Sequence, residues 1–511
     1  MQKVIIDGNN LKISEIIAVA RDEAQVELAS SAKNAINKSR KWVEEITQRD
    51  IPVYGINTGF GIFSDVRISA EDSAQLSRNL ILSHAVGIGE PLDDEIVRAA
   101  TLVRANTLAK GHSGVRLEVV ETLLSMLNKK VTPIIPAQGS LGSSGDLAPL
   151  SHIGLVFTTD AEDLEEESGY ARFEGKILTG KTAMSRAGIN RIVLQAKEGL
   201  ALSNGATFSA AIAALAIYDA EVLLRAGEIS LALSLEALMG CSAAFDDRLH
   251  QARGLTGQRR VAESVRRLIC GSTLIDGGGR VQDAYSLRCA PQVQGICWDT
   301  LNFCKDIIAL EINAATDNPL LFEPGDALSG GNFHGEPVGM VMDFLGIAMN
   351  ELAAISERRT SRLIDSHFNG GLPPMLVDKE EDAGLNSGLM MPHYSAASLV
   401  LENRTLASPD SVESLPVSAQ QEDHNANAMT AARHAAQILS NTAYVLAIEC
   451  ITAARALDLR LKRNPTAVLG EITGKTYKKI REIIPYRSGD AWWAPDIEQM
   501  KSYILNRELE I

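Results

Sequence analysis

Ser143-Ser144-Gly145 is a tripeptide able to build an electrophile from its own backbone. If the Gly145 amide nitrogen attacks the Ser143 carbonyl carbon and two waters leave, a five-membered ring closes. The dehydrated Ser144 then carries an exocyclic methylidene. This chemistry fixes the residue types. Position 144 must be Ser, whose hydroxyl is lost to make the double bond. Position 145 must be small, because its nitrogen presses against a carbonyl two residues back, a bend that Gly adopts freely. Position 143 gives only backbone atoms to the ring, so its side chain is free to vary and Ser143→Ala is expected to work normally. A Gly/Ser run is otherwise an ordinary loop. Three residues carry little weight; the fifteen-residue run from Gln138 to His152, with Asp146-Leu147-Ala148-Pro149-Leu150-Ser151-His152 after the tripeptide, carries much more.

Other runs hold residues of chemical interest, each with a plainer reading beside it. Tyr54-Gly55-Ile56-Asn57-Thr58-Gly59-Phe60-Gly61 is a Gly-rich loop bearing a Tyr, and it lacks both phosphate-cradling glycine patterns. A phenol acting as base needs positive charge or hydrogen bonds to lower its pKa, which burial alone opposes. Tyr285 and Arg288, in Gln282-Asp283-Ala284-Tyr285-Ser286-Leu287-Arg288, sit at a helical spacing that puts them on one face; alone they read as a surface Arg beside a core Tyr. Asn204-Gly205 reads as a cap ahead of a long helix. Gln420-Gln421-Glu422-Asp423-His424 has metal-ligand residue types, but adjacent residues rarely converge on one ion, so no metal is expected there.

The elements that position these residues are mostly helices. Of 511 residues, 45% are hydrophobic and only 5% aromatic, with Ala and Leu abundant, which favours packed helices over sheets. Long, apolar, Ala-rich stretches at 206–240, 292–315, 336–365 and 425–462 predict buried helices in a bundle. Their spare apolar faces imply packing against other copies of the chain. A boundary near residue 200 separates a smaller N-terminal domain (1–200) from this bundle and C-terminal region (201–511). Residues 366–424 read as a long Gly- and Pro-interrupted connection. The net charge of −15 argues against nucleic acid or an anionic membrane as partner. Six cysteines without tight spacing read as reduced thiols. Asp7 comes before any long apolar run and the apolar stretches carry charges every few residues, so neither a leader nor a membrane span is expected, and the expected location is cytoplasmic.

Taken together and in order, these runs resemble the family of ammonia-lyases and aminomutases that use 4-methylidene-imidazole-5-one (MIO). The resemblance extends from Tyr54 through Glu422. It implies a mainly α fold of the fumarase/aspartase-like superfamily, with a long-helix core and an N-terminal domain carrying the MIO loop. It implies MIO from Ser143-Ser144-Gly145 with no external cofactor, and a homotetramer whose active sites are each built from three subunits. The roles it implies are Tyr54 on a lid as base for the substrate β-proton, Tyr285 in amine transfer, and Asn204 at the MIO carbonyl. Gln282, Arg288 and Phe333 bind the amino acid substrate, Arg288 by a bidentate grip on its carboxylate. His334 has no assigned role and reads as structural.

Two positions speak to the substrate. Ser83-His84 looks like the histidine-accepting version of the selectivity pocket, and Glu422 stands where enzymes of phenylalanine or tyrosine usually carry Asn. A carboxylate suits an imidazole; against a phenyl ring it is a desolvated charge without compensation. The expectation is non-oxidative loss of ammonia from histidine to give trans-urocanate. A lyase or 2,3-aminomutase of phenylalanine, tyrosine or histidine is the alternative. Departures from the family pattern are Ser143 for Ala, Ser203 for Leu, Asn425-Ala426-Asn427 after His424, and Met391-Pro392-His393 for Ile-Ala-Gln.

Overall fold

The four long apolar stretches are helices in the computed structural model: Thr207–Ala237, Ala290–Glu311, Glu336–Ile364 and Ala428–Arg463. The model describes residues 3–48, 52–59, 63, 66–69 and 71–509. Among these residues the strands form only small sheets of two or three members, such as the parallel pair Lys3–Ile6 and Gln25–Leu28. Thr207–Ala237 and Glu336–Ile364 are long and apolar enough to cross a membrane, yet their most apolar windows are 83% and 72% buried, as in core helices. The connection 366–424 is less irregular than expected, because it contains the helix Met390–Leu406. Its buried stripe is Pro392, Ala396, Val400 and Asn403, a helical spacing written in residues with little hydrophobic signal.

Residue contacts divide the chain into two compact units. The first comprises 1–216, 305–343 and 409–433; the second comprises 217–304, 344–408 and 434–511. Within the first, the helix Asp94–Ala109 is buried continuously from Val97 to Ala109. Its arginines bond mostly to backbone: Arg98 donates to the carbonyls of Val19 and Leu127. Arg104 donates to the carbonyls of Ala201 (3.2 Å) and Asn204 (2.6 Å), at the end of the short helix Glu198–Ser203. A cation among the last carbonyls of a helix is well placed against its dipole. Burial pulls the Arg104 guanidinium down to about 10, with Asp317 and Asp146 opposing.

The second unit is a helical bundle around a buried carboxylate. Glu449 accepts from Arg359 Nε (2.5 Å) and Nη2 (2.8 Å) and from the hydroxyls of Ser230, Ser234 and Ser356. Burial of such a pair is tolerable only because its remaining lone pairs are used. Small side chains let the helices approach closely, as in the cluster of Ala353, Ala396, Val400, Val445 and Ile448.

Candidate active site

The Ser143-Ser144-Gly145 loop is held against the turn that begins the first long helix. Gly145 and Gly205 form a parallel bridge. Gly145 has φ of +80°, and a Cβ placed on it would lie 2.1 Å from the Gly205 carbonyl carbon. No side chain fits there. The Ser144 carbonyl accepts from Asn204 Nδ2 at 2.9 Å and from the Gly205 amide at 3.0 Å. Directly beyond the loop start the helices Leu147–Phe157 and Thr207–Ala237. Two positive helix ends are therefore drawn to the atoms around Ser144.

Asp146 fixes this arrangement from below. It is fully buried, accepting from Ser140 Oγ (2.8 Å), the Ser209 amide (2.8 Å) and Ser209 Oγ (3.0 Å). Burial raises its carboxyl above the usual Asp value, and those donors pull the other way. Two more backbone bonds join neighbouring loops to the residues just before the tripeptide: the Gly335 amide to the Gly142 carbonyl (2.9 Å) and the Asn427 amide to the Leu141 carbonyl (2.8 Å).

A cavity of about 1330 Å³ opens onto Ser143 and Ser144, and all its lining residues belong to the first unit. Tyr54 lines it from a loop pinned at several points. The Val53 amide donates to Asn57 Oδ1 at 2.6 Å, the Ile68 amide to the Asn57 carbonyl at 2.9 Å, and Ile56 is buried against Trp42, Val43 and Ile46. Phe60 and Gly61 of the expected lid lie outside the described residues. Asn204 and Phe333 also line the cavity, as does His334, whose Nε2 lies 3.1 Å from the His424 carbonyl.

His84 and Glu422 also line the cavity, near enough for the charge of one to act on the ring of the other. His84 closes the helix Ser73–His84, with Nδ1 at 2.9 Å from Ser83 Oγ. Burial holds its imidazole below the ordinary His value, against the raising effects of the Leu80 carbonyl and the Glu422 charge. Glu422 accepts a hydrogen bond from the Ser143 hydroxyl. The expectation that residue 143 contributes backbone alone thus misses a side-chain contact, across 279 positions of sequence.

Gln282, Tyr285 and Arg288 do not line this cavity; they lie in the second unit. The helical spacing is read correctly, since the Arg288 guanidinium stands 4.5 Å from the centre of the Tyr285 ring. Gln282 is exposed and Tyr285 is 70% exposed. Met391-Pro392-His393 also belongs to the second unit, where His393 Nε2 pairs with Glu357 Oε1 at 2.7 Å.

The family model for aromatic amino acid lyases matches residues 11–482. The chain belongs to the aromatic amino acid lyase family. Histidine ammonia-lyase of Caldanaerobacter subterraneus subsp. tengcongensis is 50% identical over 487 residues, covering 94% of this chain and 92% of that protein. Among solved structures, histidine ammonia-lyase from Trypanosoma cruzi superimposes with a TM-score of 0.90 at 36% identity, over 99% of this chain and 94% of that one. Tyrosine aminomutase from Streptomyces globisporus gives 0.91 at 34% identity, over 99% and 97%. This is an ammonia-lyase scaffold, mainly helical.

The glycine bridge gives a sharp test for this member of the family. Gly145→Ala has to place a methyl group on the Gly205 backbone and hold an L-residue at a left-handed φ, a combination costing at least about 3 kcal/mol. We expect a lowered thermal unfolding midpoint and no turnover. An unchanged midpoint with normal turnover would show that the bridge is not needed.

Proposed function

We propose that this protein is a histidine ammonia-lyase, eliminating ammonia from L-histidine to give trans-urocanate. The observation that carries the substrate reading is that His84 and Glu422 both line the cavity that opens onto Ser144, near enough for the Glu422 charge to act on the imidazole. A carboxylate accepts the imidazole N–H and finds no partner on a phenyl or phenol ring. The full-length relative at 50% identity points the same way.

The fit of Gly145 against Gly205, together with two donors on the Ser144 carbonyl, supports Ser143-Ser144-Gly145 as the precursor of MIO. That ring supplies an electrophilic methylidene, which turns the substrate's amine into a better leaving group. The chain's own residues do the rest. Tyr54 takes the β-proton, so that its electron pair becomes the new C=C bond as the C–N bond breaks. Asn204 and the Gly205 amide stabilise charge at the residue-144 carbonyl. Phe333 confines the substrate backbone. Arg288 binds the carboxylate, with Tyr285 and Gln282 beside it, and in this reading a neighbouring copy supplies these three, in keeping with the resemblance to enzymes whose sites are built from several subunits. The assembly proposed with it is a homotetramer with shared sites, as the resemblance implies, working in the cytoplasm.

The test is direct. Incubated separately with histidine, phenylalanine and tyrosine, the protein should produce the ultraviolet absorbance of the unsaturated acid from histidine alone. Equal rates on phenylalanine would sink the substrate reading. A β-amino acid as main product would make the protein an aminomutase.

A further inference from the structure

Residue 143 is where the tripeptide departs from the family's more usual Ala, and its hydroxyl is left over once the ring has taken the backbone carbonyl. That side chain is not idle. Ser143 is 7% exposed, and its Oγ donates to Glu422 Oε2. Glu422 itself stands on a loop that fixes its backbone. A pair of backbone bonds joins Glu422 to Val417, at 2.9 and 3.3 Å. Between them Ser418, Ala419 and Gln420 all have positive φ, +51°, +53° and +70°. The backbone bonds leave the side chain its own rotamers, and the bond from Ser143 Oγ is a contact that fixes one carboxylate oxygen.

We propose that Ser143 is a positioning residue for substrate recognition, its hydroxyl tethering Glu422 Oε2 so that the other carboxylate oxygen is presented to the imidazole N–H. The inference rests on the histidine reading above and deepens it. A carboxylate offers about four acceptor sites, so the tether uses one and leaves the imidazole its own. A hydrogen bond to a charged acceptor is of the stronger kind. It also removes rotamer freedom from a long, half-buried Glu before substrate arrives, which is preorganisation in the ordinary sense. Because the Cα of residue 143 is fixed by the ring it helps to form, one residue sets the distance between the electrophile and the group that recognises the substrate ring. Ala at 143 retains the ring and loses this coupling. Thr retains both.

The experiment compares S143A, S143T, E422Q and the double variant S143A/E422Q with the unaltered protein. It reads kcat and KM for histidine, the absorbance of the ring chromophore and the unfolding midpoint. S143A should keep the chromophore and the midpoint while KM rises about tenfold, with kcat changed by less than about threefold. S143T should restore KM. In the E422Q background S143A should add nothing, since a residue acting through Glu422 has no effect once that carboxylate is gone. A normal KM in S143A, or a loss fully additive on E422Q, overturns the tether. Histidine turnover by the unaltered protein is read first: its absence removes the substrate reading and this inference together, while its presence leaves the variants to decide the tether alone.

Discussion

Ser144→Ala should give a chain that folds and assembles normally but loses histidine turnover on the order of a thousandfold or more, equivalent to at least about 4 kcal/mol of barrier. The fold should survive because the bonds at this residue come from Asn204 Nδ2 and the Gly205 amide to a carbonyl that Ala also has. The activity should not, because Ala has no hydroxyl to lose and no methylidene forms. Circular dichroism and unfolding midpoint would check the first half, and urocanate absorbance the second. Retention of most of the turnover would remove the MIO assignment. The same variant tests the shared site. Produced alone, a chain with Arg288→Ala should also be inactive. Produced together, the two should assemble some sites with an intact Ser144 from one copy and an intact Arg288 from another, and turnover should reappear. No recovery in mixed assemblies would place Arg288 outside the site.

The parts of this site legible in the sequence are those where chemistry dictates a residue type. Ser144 has to carry a leaving hydroxyl and Gly145 has to lack a side chain. Tyr54, His84, Asn204, Phe333 and Glu422, scattered over most of the chain, line one cavity with them. What escaped notice depends on three-dimensional neighbours. Asp146 follows a Gly in a loop, where nothing local in the sequence marks it as buried, yet it is the buried acceptor for Ser140 and Ser209. Arg104 looks like a charge on an apolar helix, whereas it holds the carbonyl end of the segment that delivers Asn204. Helix ends were blurred for a related reason. The stretch 425–462 begins as a helix only at Ala428, because the Asn425 amide group bonds the backbone of Leu415 and Asn427 turns to φ of +47°. Asn side chains that bond backbone compete with helix, and periodicity does not report which of them will.

Glu422→Gln is the substitution expected to separate recognition from chemistry. Gln keeps the length and one acceptor oxygen but gives up the charge. Losing a charge-assisted partner in a half-buried pocket costs about 1.5–3 kcal/mol, so kcat/KM for histidine should fall about tenfold to a hundredfold. The ring chromophore should be unaffected, since no atom of residue 422 enters it. Phenylalanine should respond in the opposite direction. In the unaltered pocket its phenyl ring would desolvate the Glu422 carboxylate and offer it nothing, and a neutral amide lowers that cost, so any phenylalanine turnover should rise. His84→Phe should add to this rise by making the same end of the cavity apolar. Selectivity for the substrate ring would then lie in two side chains, 338 residues apart in sequence, while Ser144 and Tyr54 go on treating the common amino acid portion alike. Measured kcat/KM ratios for the two amino acids in each variant check this. If Glu422→Gln lowered both in equal proportion, the carboxylate would be acting on the reaction itself and not on the choice of ring.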